Sequence, residues 1–317
     1  MPYFDQIITS NFYKALSFAV KAHDGQYDKI GEPYILHPIA VSAQLKSEDE
    51  KILALLHDVI EDTNYTLEDI AALGFQDLTD SLDCLSRRND ETYKEFIARI
   101  LKNRLAVKVK IADIKHNLSR IDSLPEHERG LAAHYKKWLP VLESELKRER
   151  IIAAHAGSGK TSLAKQYPEI FIDFVSMPYK YHMPDNYTDD ESESCKANPD
   201  YELNMDWPDN YFAAIISKLN SSNKMLLIPP DWRLLYMLYR AEVPYLLCYP
   251  ENTAEAKAAY QKRYEERGNS KDFLEIFIDG WENFMDFLEK DENCSRKIIL
   301  GPHQFLTDTD VIDEIYR

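Results

Sequence analysis

The stretch RERIIAAHAGSGKTSLAKQYP (148–168) divides the chain. Ahead of it, apolar residues recur at helical spacing and no strand-like alternation appears. Within it, Ile151, Ile152, Ala153 and Ala154 make a short apolar run bounded by charge and by glycine, the pattern of a buried strand. Four later stretches repeat that pattern with helical segments between them: EIFIDFVS (169–176), KMLLIPP (224–230), VPYLLCYP (243–250) and RKIILG (296–301). Strands alternating with helices predict a parallel sheet. Two domains are expected, an all-α helical bundle over 1–148 and an α/β domain with a parallel sheet over 149–317.

A chain of 317 residues with 44% apolar content is long enough for two such cores. In the first half the periodicity predicts helices over 11–22, 38–46, 50–61, 66–72, 91–102, 104–120 and 127–149. In the second, residues 178–210, rich in Asp, Glu, Pro, Tyr and Asn, read as a long loop or insertion. The formal charge of −16 is uneven: residues 1–150 carry 21 Lys+Arg against 25 Asp+Glu, and residues 151–317 carry 17 against 29. Such a surface disfavours extended nucleic acid and membranes as partners, while a local basic cleft for a small phosphorylated ligand stays open. The four cysteines form no CxxC pair, and MPYFDQIITSNFYKAL lacks a basic n-region followed by an apolar core. A reducing cytoplasm and no signal peptide are expected.

In ALLHDVIEDT (54–63), His57, Asp58, Glu61 and Asp62 would share one face of a helix whose other side is apolar. A solvated face is the ordinary reading of such charges, but this His–Asp pair is embedded among core residues. Unpartnered burial would cost several kcal/mol. A metal ion is the natural partner, with His23 in VKAHDGQ and Asp113 in VKVKIADIKHNL as further candidate ligands. Two imidazoles and two carboxylates suit Mn²⁺ or a related divalent ion.

KAHDGQYDKIGEPYILHP, ALLHDVIEDT and VKIADIKHNL closely resemble the HD hydrolase domain of RelA/SpoT enzymes and small alarmone hydrolases, over about residues 10–123. The resemblance implies a manganese site of His23, His57, Asp58 and Asp113, with Glu61 and Asp62 as the acidic pair acting on the attacking water. It implies removal of the 3′-pyrophosphate of (p)ppGpp, and Lys29, Tyr34, His37 and Asn117 as residues shaping or lining the nucleotide pocket. Asp28 departs from the family, which usually carries a basic residue there to help hold guanine. Adenine or another 3′- or 2′-phosphorylated nucleotide therefore stays open.

HAGSGKT lies between a strand pattern and a helix pattern, the arrangement of a phosphate cradle. Gly157, Ser158, Gly159, Lys160, Thr161 and Ser162 would wrap the phosphates of ATP, with Lys160 on the β/γ-phosphates and Thr161 on Mg²⁺. The full GxxxxGK[ST] pattern is missed at its first position, Ala154. This half is similar to P-loop nucleotide kinases, over about 149–167. On that resemblance Asp173 would face the phosphoryl acceptor, and Arg263 and Arg267 would sit on a lid over the transferring group. Arg233 is a candidate for the acceptor's phosphate.

The expectation is a bifunctional enzyme of nucleotide metabolism, a Mn-dependent phosphohydrolase joined to an ATP-dependent kinase acting on small nucleotides. Two alternatives stand beside it. One is a phosphatase–polynucleotide kinase repairing nucleic-acid ends; the other is a hydrolase gated by an ATP-sensing domain that transfers nothing. Homo-oligomerisation is left open by the sequence.

Overall fold

The computed structural model describes residues 11–124, 126, 130–183 and 202–315. It divides into two compact units, Met1–Lys147 and Arg148–Arg317. No described helix is long and apolar enough to cross a membrane.

The first unit is helical: α1 (Asn11–Ala22), α2 (Leu36–Ala43), α3 (Glu48–Leu56), α4 (Val59–Asp62), α5 (Leu67–Ile70), α6 (Thr79–Leu85), α7 (Tyr93–Ile100), α8 (Arg104–Ser119) and α9 (Leu131–Lys147). Local chemistry sets several starts. Ser47 with Glu50, Thr66 with Asp69 and Thr92 with Glu95 form capping boxes at α3, α5 and α7. Asn103 opens α8 by accepting from the Ala106 amide at 3.0 Å. Ile52–Leu56 are buried, and α3 packs on α1, α2 and α8 around Leu53, Leu56, Val107 and Ile114.

Two details differ from the periodicity. The helix expected over 50–61 is interrupted at His57 and Asp58, where the His57 ring takes the Ala54 carbonyl that the Asp58 amide would occupy in a regular helix. Helix α6 was not expected, because its seven residues bury only Ser81, Leu82 and Leu85 and give no sustained period.

The second unit holds a five-stranded parallel sheet in the order β2-β3-β1-β4-β5, from β1 (Ile151–Ala154), β2 (Phe171–Asp173), β3 (Met225–Ile228), β4 (Leu246–Pro250) and β5 (Arg296–Leu300). Strand β1 is central, with Ile152 in register with Leu227 and Leu246. Its Ile151 and Ala153 enter one apolar cluster and Ile152 and Ala154 another, so both faces are covered. From β1 the order runs outward in both directions, which makes the loop at its carboxyl end a natural ligand crevice. The helix α10 (Lys160–Gln166) follows that loop. Of the expected loop 178–210, residues 184–201 lie outside the described residues. Its described ends include the helical turn Met177–Lys180 and a bridge between Tyr181 and Leu203.

Candidate metal centre and glycine-rich loop

Helices α2, α3 and α8 bring His37, His57 and Asp113 together, with donor atoms all within 4.8 Å of one another and all three residues buried. His37 Nε2 stands 3.2 Å from Asp113 Oδ1 and 3.5 Å from Asp58 Oδ2. His57 Nε2 stands 3.1 Å from Asp58 Oδ2 and 3.9 Å from Asp113 Oδ1, yet makes no hydrogen bond there. Its Nδ1 donates to the Ala54 carbonyl at 2.7 Å, which fixes the ring and turns Nε2 toward the carboxylates. Burial works against a charged His57, but Asp58 and Asp113 outweigh it and hold its pKa up at about 9. Burial would raise the Asp113 carboxyl; Lys110, 2.8 Å from Oδ2, together with His37 and His57 holds it well below the usual carboxylate range instead. A buried, hydrogen-bond-free ring nitrogen among two carboxylates and a second imidazole fits a divalent ion.

His37, expected beside the nucleotide, joins the donor group. His23, expected as a ligand, is buried at the end of α1; its Nδ1 is held by Gln26 Oε1 at 2.7 Å, its Nε2 has no hydrogen-bond partner, and its ring lies 5.0 Å from that of Tyr34.

Tyr34 and Asn117 touch the carboxylates directly. The Tyr34 hydroxyl lies 2.8 Å from Asp58 Oδ2 and 2.9 Å from Asp62 Oδ2, and Asn117 Nδ2 donates to Asp113 Oδ1 at 2.6 Å. Glu61 accepts from the Arg87 amide at 3.1 Å. Burial first, then the Asp58 charge, raises the Asp62 pKa; burial raises that of Glu61. Asp28 is absorbed by its own turn: Oδ1 accepts from the Ile30 and Glu32 amides, and Oδ2 takes Arg120 at 2.5 Å, with Lys29 exposed beside it. Arg120 also reaches Glu32 at 2.9 Å. Lys110, His116 and Arg120 were not singled out in the sequence; their spacing from Asp113 on α8 was the available signal.

In the second unit, Gly157 and Gly159 have φ of 78° and 95°. A Cβ on Gly157 would come within 2.8 Å of the Tyr264 ring, so this turn requires glycine twice over. Ser158 is buried and its carbonyl accepts from the Leu306 amide. Lys160 Nζ donates back to the Ala154 and His155 carbonyls at 2.7 and 3.1 Å, and burial pushes its pKa down to about 8 against the pull of Asp173. The Thr161 hydroxyl donates to Asp173 Oδ2 at 2.5 Å, while Ser162 is exposed. A cavity of about 560 Å³ opens beside Thr161 and Asp173, lined also by Phe174, Tyr179, Lys165 and Lys218.

The arginines are placed differently from expectation. Arg263 reaches the loop, but its guanidinium donates to the Gly157 and Pro302 carbonyls between the rings of Tyr260 and Phe305, at 4.2 and 4.0 Å. It braces the loop rather than standing over it. Arg267 is exposed at the end of helix Ala254–Glu266, and Arg233 lies 3.8 Å from Asp231.

His155, at the head of the loop, is fully buried among Tyr260, Phe277, Trp281 and Phe284. Burial dominates and pushes its pKa down to about 3. Unfolded, the ring titrates near 6.5. Between those values the unfolded chain binds the additional proton, so stability is full above about pH 6.5 and falls on acidification by about 1.4 kcal/mol per pH unit. Moving from pH 7 to pH 5 is expected to cost the second unit roughly 2 kcal/mol through this ring alone. Urea unfolding at the two pH values should show a smaller difference for His155→Phe.

No protein-family model matches the chain. Among curated proteins, a probable guanosine-3′,5′-bis(diphosphate) 3′-pyrophosphohydrolase of Synechocystis is 34% identical over 149 residues, covering 42% of this chain and 20% of that one. The corresponding enzyme of Haemophilus influenzae is 38% identical over 127 residues, 35% of this chain and 19% of that one. The bifunctional (p)ppGpp synthase/hydrolase SpoT of Escherichia coli is 33% identical over 135 residues, 38% and 19%. The chain thus spans about a fifth of the length of these relatives, which are (p)ppGpp pyrophosphohydrolases of the SpoT/RelA type. A solved metazoan ortholog of SpoT, described as hydrolysing ppGpp, gives a TM-score of 0.38 at 25% identity over 42% of this chain and 85% of that one.

Proposed function

We propose that the first unit is a metal-dependent nucleotide pyrophosphohydrolase and that the second is an ATP-dependent P-loop kinase. The observation carrying the hydrolase is the buried group of His37, His57 and Asp113 with half-buried Asp58 beside it, in which His57 Nε2 has no hydrogen-bond partner. His23, whose Nε2 is likewise buried without a partner, would join His57, Asp58 and Asp113 in holding a divalent ion beside His37, Mn²⁺ by the character of the donors. Such an ion supplies Lewis acidity and lowers the pKa of coordinated water. Water would add to the 3′-bound phosphorus of an alarmone-like nucleotide while Glu61 or Asp62 takes its proton, and Tyr34 steadies Asp62 against Asp58. The 3′-oxygen–phosphorus bond breaks, the proton passes on to the 3′-oxygen, and a 3′-hydroxyl nucleotide and pyrophosphate leave. The likeness to (p)ppGpp pyrophosphohydrolases supports this substrate class. Asp28 is spent on its turn and on Arg120, so the choice between guanine and adenine falls to other groups.

For the second unit, the Thr161–Asp173 contact beside an open cavity supports a Mg²⁺·ATP site with a small acceptor next to it. Lys160 would meet the β/γ-phosphates, and Gly157–Ser162 would present backbone amides to them. Mn²⁺-loaded protein incubated with ppGpp, ppApp and 3′-phosphorylated nucleotides should release pyrophosphate or phosphate from at least one. Folded, metal-replete protein that releases neither would sink the hydrolase reading. ATP consumption dependent on an added nucleoside or nucleotide tests the kinase in the same preparation.

A further inference from the structure

We propose that the cavity beside Thr161 and Asp173 takes a nucleoside monophosphate as the acceptor, its phosphate held by Lys165 and Lys218 and its base laid against Phe174 and Tyr179. The inference rests on the kinase reading above, whose substrate class it names, and needs nothing from the metal centre. Residues 151–317 carry 17 Lys+Arg against 29 Asp+Glu, so composition gives no reason for a cationic wall. Yet the charged side chains lining this cavity are Lys165, Lys218 and a single carboxylate, Asp173. Neither ammonium group has an ion-pair or hydrogen-bond partner among the described residues. One comes from α10 and the other from the helix Asp209–Ser221. Two unpaired cations from separate elements in one concave space suit an anionic ligand. Arg233, the candidate from the sequence, does not line the cavity.

The remaining lining is largely apolar, with Ile172, Val175 and Pro178 beside the two rings. Those rings are held in place before any ligand arrives. Phe174 stacks on Tyr211 at 5.4 Å and 17°, and Tyr211 stacks on Trp207 at 5.4 Å and 27°. The Tyr211 hydroxyl donates to the Phe174 carbonyl, and Asn210 Nδ2 donates to the Tyr179 carbonyl at 2.7 Å. A base can stack on such a wall at little ordering cost. A volume of about 560 Å³ lies within the range of small-ligand sites. Charge then sets the orientation. Asp173 takes the Thr161 hydroxyl on Oδ2, and its Oδ1 accepts no hydrogen bond among the described residues. A phosphate there would be repelled, whereas a sugar hydroxyl can donate. In the transfer, that hydroxyl oxygen bonds to the γ-phosphorus of ATP as the bond from phosphorus to the β–γ bridging oxygen breaks. The hydroxyl proton passes to Asp173, and ADP leaves.

Calorimetry on the full-length protein, with Mg²⁺ and a saturating non-hydrolysable ATP analogue, compares AMP and GMP with adenosine and guanosine. At least one monophosphate should bind about 10-fold or more tighter than its nucleoside, as hydrogen bonds between charged groups provide. Lys165→Met and Lys218→Met should each cut that preference at least about threefold and together abolish it. Arginine at both positions should keep it. Nucleoside affinity should be the same in all these variants, which a merely structural role for the lysines would not allow. A nucleoside that binds as tightly as its monophosphate, a preference that survives the double Met variant, or no binding of any monophosphate each overturn the proposal. The titration of the ATP analogue is read separately. Wild-type protein that does not bind it overturns the kinase reading, and the acceptor role with it, whatever the monophosphates do.

Discussion

Asp113→Ala is expected to abolish Mn²⁺ uptake and hydrolysis together, and to destabilise the first unit by about 3–5 kcal/mol. The two losses have separate causes. Asp113 is buried; its Oδ2 pairs with Lys110 at 2.8 Å, and Oδ1 accepts from Asn117 and faces His37. Burial would lower the Lys110 pKa, but the Asp113 charge more than reverses that, so alanine would strand a charged ammonium against Phe96 and Tyr93. Breaking a buried pair from one side costs more than replacing both partners. Adding Lys110→Met should therefore recover most of the lost melting temperature, whereas Mn²⁺ binding by calorimetry stays absent. If the double variant regained metal and hydrolysis, Asp113 would be a structural counter-charge and not a ligand. If the alanine variant melted like wild type, the stated cost of the Lys110 pair would be wrong.

The residues in that comparison also show what the sequence could reveal. The reactive stretch was legible because His57 and Asp58 interrupt a run of buried apolar residues, and charge in such a place needs a partner. How the histidines beside these carboxylates are placed was not legible. His23 and His37 both adjoin helices, and spacing along a chain does not say where a ring points; in the structure both are buried, and His37 stands 3.2 Å from Asp113. Lys110 and His116 flank Asp113 at three-residue spacing, so the stripe was present in the sequence, but a lysine and a histidine on a helix ordinarily face water. Arg120 restores a guanidinium to the turn where Asp28 stands, a pairing across 92 positions that no local pattern encodes.

The parallel sheet followed from five apolar runs separated by helical segments; the inner strands β3, β1 and β4 are buried on both faces or nearly so, whereas the edge strand β5 leaves Ile299 exposed. Its order, β2-β3-β1-β4-β5, depends on which side each crossover returns, and the runs look alike from the sequence. The arginines illustrate the same limit. Helical spacing put Arg263 and Arg267 on one face, yet the aromatic pair Tyr260 and Phe305 captures the first, and the second ends its helix in solvent.

Lys160→Ala is expected to weaken ATP binding by about 10- to 100-fold, the worth of a hydrogen bond to a charged group, and to remove any phosphoryl transfer. Hydrolysis at the Mn²⁺ site should be unchanged. Lys160 Nζ now bonds only two carbonyls at the end of β1 and the start of the loop, 2.7 and 3.1 Å away. Phosphate oxygens would replace those acceptors with charged ones, which is where the binding energy arises. Asp173→Asn gives a second, different signature. It keeps a partner for the Thr161 hydroxyl but removes the carboxylate charge, so transfer should fall much more than ATP affinity. Fluorescent ATP-analogue titration, ATP turnover and pyrophosphate release measured on the same three proteins separate these outcomes. ATP affinity unaffected by Lys160→Ala would deny that the loop holds phosphates. Loss of hydrolysis in a folded Lys160→Ala protein would mean that the nucleotide state of the second unit controls the first, and the two activities would then be coupled rather than merely joined in one chain.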